Sequence, residues 1–262
     1  MKPIVRRGLG LLLIIACVAV WIVSSGMSRR ALAVRTCTGK ETLDVCVKDS
    51  LERRFVAKED IEKWLDSEYG AYAGLRLDSV NLAKIESLIL GHSAVKTCEA
   101  WLTDDGTLHI ELTQRQPAVR FDTGSNGYYA DADGFIFPLQ ARGTADVPVV
   151  DGKLPLQVPR GYKGELQDPA QRLWLGKIVE LATLVNGSDW KQTLAKISVG
   201  DDGNLVMKPA EGKETFLFGP PERIPEKLSL MGKYYSAIVP AKGAGYYSTV
   251  DVRYKGQLVC RK

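Results

Sequence analysis

The stretch TLHIELTQRQPAVRFDTGSNGYYADADGFIFPL, residues 107–139, decides how this chain folds. Leu108, Ile110 and Leu112 alternate with polar neighbours, the period-2 signature of a strand with one buried face. The strand then meets Gln114-Arg115-Gln116-Pro117. Pro117 has no N–H for a sheet ladder and biases Gln116 toward extended backbone. Strand character resumes at once over residues 118–121, 128–130 and 135–137. The step therefore reads as a joint where one sheet ends and the next begins, not as catalytic chemistry.

Upstream of the joint, Leu43, Val45 and Val47 alternate as a first strand. In AKEDIEKWLDSEYG, Ile61, Trp64, Leu65 and Tyr69 recur at helical spacing, with acidic residues early, where the helix dipole favours them. A second helix follows in LDSVNLAKIESLILGH: Asp78 or Ser79 is its expected N-cap, Leu82, Ile85, Leu88 and Ile89 its apolar stripe, and Gly91 its stop. Residues 95–102 and 108–113 complete a hairpin around Asp104-Asp105-Gly106. Residues 41–116 thus read as a small βααββ domain.

Downstream, residues 117–262 read as a mainly antiparallel β domain carrying about two helices, which makes the fold class α+β. Asp168-Pro169 opens one helix, with Pro169 at the first-turn position that tolerates its missing N–H. Leu173, Trp174, Ile178, Leu181 and Val185 form its expected buried face, and Asn186-Gly187 ends it. Leu228, Met231, Tyr235 and Ile238 mark the other. Val250, Val252 and Tyr254 alternate as a last strand before Lys255-Gly256.

At the start of the chain, residues 8–27, GLGLLLIIACVAVWIVSSGM, carry no charge. Twenty helical residues span roughly 30 Å, the thickness of a bilayer's hydrocarbon core. Ala31-Leu32-Ala33 has the form of a signal-peptide cleavage site. Arg29 and Arg30 stand in front of it, where a cleavage region is uncharged, and this favours a retained transmembrane helix over 8–27. Residues 1–7 are then a short tail and 28–40 a membrane-proximal linker. Flanking charge barely orients the helix. Cysteine usage says more: Cys37, Cys46, Cys98 and Cys260 permit disulfides, which persist in oxidising compartments. Of the three pairings, one joins Cys37 to Cys46 and Cys98 to Cys260.

The 262 residues are 45% hydrophobic and 25% charged with a net charge of +4, which points to folded domains without a basic patch for nucleic acid. With no CxxC motif and only His92 and His109 as partners, a zinc site is not expected. GxSxG and HExxH are absent, and no glycine-rich loop opens a helix to cradle phosphate. Asp131-Ala132-Asp133-Gly134 fails as a calcium loop, because the twelfth position is Arg142. No catalytic residue, cofactor, metal or small-molecule substrate is expected.

Four blocks, in order behind the apolar run, carry a resemblance: GHSAVKTCEAWLTDDGTLHIELTQRQPAVRF, YYADADGFIFPL, PVVDGKLP and STVDVRYKGQLV. Together they resemble the bacterial cell-division family FtsQ/DivIB, whose POTRA domain leads through a Gln-Arg-x-Pro step into a β domain. The resemblance implies a single-pass inner-membrane protein at the division septum, N-terminus cytoplasmic and bulk periplasmic. It implies a non-catalytic divisome scaffold that binds FtsB/FtsL-type partners and helps recruit and regulate septal peptidoglycan synthesis. It implies contact by β-strand addition at the last strands, here Val252, Arg253, Tyr254, Lys255, Gly256 and Gln257. The edge at 95–102 is a second candidate. Two other readings are another POTRA-bearing envelope assembly or transport component, and a membrane-anchored peptidoglycan-acting enzyme. One POTRA unit, one apolar helix and no visible nucleophile disfavour both.

Overall fold

In a computed structural model of the chain, the residues described are 14–25, 35–39, 42–48, 55–124 and 126–262. Helix α1 covers residues 14–25, inside the uncharged run. The tail 1–7, the rest of the run and most of the linker lie outside the described residues. Among those described, no helix is long and apolar enough to cross a membrane.

The chain divides into two compact units, one of Met1–Leu51 and Val56–Gln114, the other of Glu52–Phe55 and Arg115–Lys262. The division at Gln114 and Arg115 falls within the Gln-Arg-Gln-Pro step.

The first unit contains β1 (Asp44–Val47), α2 (Lys58–Trp64), α3 (Leu82–Leu90), β2 (Val95–Leu102) and β3 (Leu108–Gln114). Its sheet has the order β1-β3-β2, with β1 parallel and β2 antiparallel to the central strand. Leu108, Ile110 and Leu112 are buried, as are Ile61, Leu65, Ile85 and Ile89 from the helical segments. Gln114 Oε1 accepts the Val56 N–H at 2.8 Å and so pins the entry to α2. The N-cap of α3 is Asn81, whose side chain accepts from Lys84 N–H at 2.9 Å. Asp78 and Ser79 do not cap it, because they belong to a separate 3₁₀ turn, Leu77–Ser79, in which Asp78 pairs with Arg76 at 2.7 Å.

The second unit begins with β4 (Pro117–Asp122), β5 (Gly127–Asp131), β6 (Ile136–Pro138) and β7 (Val149–Gly152). After them come α4 (Pro169–Asn186), the short α5 (Trp190–Thr193), β8 (Leu194–Val199), β9 (Leu205–Pro209), β10 (Thr215–Gly219), α6 (Ile224–Lys233), the short α7 (Val239–Lys242), β11 (Thr249–Asp251) and β12 (Val259–Arg261). One nine-stranded sheet has the order β12-β11-β10-β9-β8-β7-β4-β5-β6. The pairs β4·β7, β7·β8 and β10·β11 are parallel and the other neighbours antiparallel. Parallel neighbours need a long crossover, and α4 supplies it between β7 and β8, as α6 does between β10 and β11.

Both helices join one core with Val119, Phe121, Val150, Ile197, Phe216, Phe218 and Val250. Each such side chain is worth ~1.5–3 kcal/mol when fully buried. Asp168 caps α4 by accepting from Gln171 N–H at 2.9 Å, with Pro169 in the first turn. Its buried face runs through Leu175, Ile178, Leu181, Ala182 and Val185. Leu173, expected on that face, is 69% exposed, because Leu175, Ile178 and Ala182 at three- and four-residue steps define a stripe that excludes it. A π-helical turn at Tyr234–Ile238 follows α6. The turn carries one extra residue, and Tyr234 is buried while Tyr235 is half-buried.

Candidate partner-docking edge

The two ends of the nine-stranded sheet differ. At the β6 end, Ile136 exchanges both backbone hydrogen bonds with Gly164, each at 2.9 Å, so the chain caps its own edge there. At the other end β12 pairs with β11, through Thr249↔Arg261, Val250↔Cys260 and Asp251↔Val259, and with no further strand among the described residues. An edge strand left open in this way exposes N–H and C=O groups that another chain can complete.

The residues expected as the open strand, Val252 to Gln257, do not form one. Val252 is fully buried in the core, and its N–H donates to Leu217 O at 3.2 Å. Beyond it the chain turns: Gly256 has φ +65, and Gln257 N–H donates to Tyr254 O at 3.3 Å. Arg253 folds back on buried Asp251, with Nε at 2.9 Å and Nη2 at 2.7 Å. That guanidinium holds the Asp251 carboxyl below the usual carboxylate range. Tyr254 and Lys255 project outward from this turn. Lys255-Gly256 is a hairpin turn, so the strand it ends, β11, is already bonded on both flanks by β10 and β12. The open flank belongs to Val259, Cys260 and Arg261, which sequence reasoning passed over. The signal was the apolar Leu258-Val259-Cys260 directly after that turn.

In the first unit β2 pairs with β3 alone. Its exposed flank is partly covered, because Glu86 Oε1 accepts the Ala100 N–H at 2.8 Å.

All five cysteines are thiols, so neither expected disulfide forms. Cys37 is buried while Cys46 sits at an exposed position of β1, and Cys98 and Cys260 belong to different units. Burial pushes the thiols of Cys37 and Cys260 up, and that of Cys98 to about 12. His92 stacks on Trp64 with centroids 3.5 Å apart, and His109 lies between Trp101 and the Asp44 carboxylate, 2.9 Å from Nδ1. No group of three metal-ligating side chains occurs among the described residues. At the Asp131 turn, Oδ1 accepts the N–H groups of Asp133 and Phe135, and Oδ2 takes Arg115 Nη1 at 2.8 Å. These contacts tie the carboxylate into the hairpin. A cavity of about 200 Å³ between β7, β8 and α4 contains Lys191 and Lys196, which are paired with Asp146 at 3.0 Å and Asp151 at 2.7 Å.

Comparison with known families agrees with the two units. A family model described as FtsQ/DivIB, C-terminal related, matches residues 116–261, and a POTRA-like domain model matches residues 36–113. No curated protein matches the chain.

Proposed function

The chain belongs to the FtsQ/DivIB family, with a cell-division role of the divisome type, and from that premise we propose that it is a non-catalytic scaffold that captures a partner strand on β12. The partner is an FtsB/FtsL-type divisome protein, and capture helps recruit and regulate septal peptidoglycan synthesis. The observation that carries this reading is the difference between the sheet's ends, one closed by Gly164 and the other open along Val259–Arg261. Backbone bonds to the open flank supply affinity, and alternate side chains select the partner. The uncharged run 8–27 supports an inner-membrane anchor, with the two units on the periplasmic side at the septum.

Cys260 provides the test. A strand added beside β12 brings one of its residues opposite Cys260, with Cβ atoms about 4.5–5.5 Å apart, close enough for a disulfide after small adjustment. A single-cysteine scan along the periplasmic segment of the FtsB-type partner should give oxidative cross-links to Cys260 at alternating positions. Cys260→Ser should abolish them. A scan with no Cys260-dependent adduct overturns the reading.

A further inference from the structure

The turn between β11 and β12 is held from outside by the start of α6. Arg223, the N-cap of that helix, has φ 51 and ψ 39, and it is the only non-glycine residue with positive φ among those described. Such a conformation costs of order 1–3 kcal/mol and persists where surrounding contacts over-determine it. Here Arg223 Nη2 donates to the backbone O of Arg253 at 2.6 Å, and Nη1 lies 3.3 Å from the Glu226 carboxylate. Glu226 Oε1 in turn accepts the Gly256 N–H at 2.8 Å. That N–H, followed by the Arg223 charge, holds the Glu226 carboxyl below its ordinary range.

From the other side Arg253 is locked by its fork on Asp251, and its stem runs against Gly219, where a Cβ would come within 2.8 Å of Arg253 Cγ. A carbonyl and an N–H that a free hairpin would give to water are therefore given to α6. Side chains of α6 and β11 fix the turn, which leaves the flank of β12 as the hairpin's open backbone.

We propose that Arg223 and Glu226 are positioning residues for strand docking. They hold the β11–β12 hairpin in its receiving geometry before the partner arrives, so that less conformational freedom is lost on binding. The strain at Arg223 is what its reach to Arg253 requires. This inference rests on β12 being the docking strand, and it gives the turn residues Arg253 and Gly256 a supporting role in place of direct contact.

The test uses the full-length chain in lipid nanodiscs, with amide exchange measured without partner. Dissociation of the FtsB-type periplasmic segment is followed separately. Arg223→Gly suits the backbone and removes the side chain with its guanidinium. That variant and Glu226→Ala should speed exchange over residues 254–261 about tenfold, with exchange in the rest of the sheet unchanged. Dissociation of the segment should speed by a similar factor, about tenfold, with little change in association. Glu226→Gln, whose amide oxygen still accepts the Gly256 N–H, should restore most of both. Unchanged exchange in the variants overturns the clamp. Faster exchange with unchanged dissociation overturns its role in docking while the docking reading stands. A segment that fails to bind the wild type overturns docking and the positioning role together, and the exchange data then describe a structural clamp only.

Discussion

Two side chains show how single positions constrain this molecule. Lys227 is almost fully buried, its Nζ donating to Pro220 O at 2.6 Å and lying 4.8 Å from the Phe218 ring centroid. Desolvation, reinforced by Arg223, lowers its pKa to about 8. A lysine whose pKa falls on folding leaves the unfolded chain holding more protons between the two pKa values, so stability rises with pH there. The window runs from about 8 to the unperturbed value of about 10.4. In urea unfolding, the wild type should therefore gain on Lys227→Met between pH 7.5 and pH 10, and parallel curves would contradict this. Gly152 poses a steric problem instead. With φ +91, a Cβ there would lie 2.2 Å from Val199 O, on the neighbouring strand β8. Gly152→Ala should cost on the order of 3–5 kcal/mol, seen as an earlier urea midpoint for the second unit. Neither property is visible in the sequence, since each is set by packing against neighbours that no local pattern marks.

At the scale of elements, cap chemistry and periodicity carry far when they are local. Asp168-Pro169 and Asn186-Gly187 bracket α4 as the sequence implies, because an N-cap carboxylate and a first-turn proline act through their own backbone neighbours. Asp168→Ala should accordingly cost about 1 kcal/mol, read as a drop in melting temperature of ~2–4 °C. Legibility fails where a contact distant in the chain decides. Asp78 looks like a cap but is taken by Arg76, and Asn81 replaces it. Leu173 looks buried but lies off the stripe that the sheet covers. The candidate site shows the same limit: alternation of Val250, Val252 and Tyr254 reveals strand-like chain, but only the ladder shows that β10 and β12 already occupy both flanks of β11. An edge is a property of a whole sheet, and no local pattern encodes it.

At the scale of the whole chain, the two units are not consecutive in sequence. Phe55, ahead of α2, belongs to the second unit, where its ring lies 6.1 Å from that of Tyr129. Phe55→Ala should therefore destabilise the second unit, by roughly 3 kcal/mol, and leave the first near its wild-type stability. Amide exchange resolved by residue would separate the two. Pro117 interrupts a ladder and so puts the expected boundary after residue 116, two residues from the division at Gln114 and Arg115; nothing in Phe55-Val56 marks the return of Phe55. The sealed β6 end has a consequence for assembly. A sheet that can grow at one end only has a valence of one, so its backbone can recruit a single foreign strand and then stops. Copies cannot join edge to edge into a fibre through this sheet, since a fibre needs two receptive ends per subunit. Self-association along β12 would close at a two-fold pair and consume the same flank the partner needs, so homodimer and heterocomplex would compete for one seat.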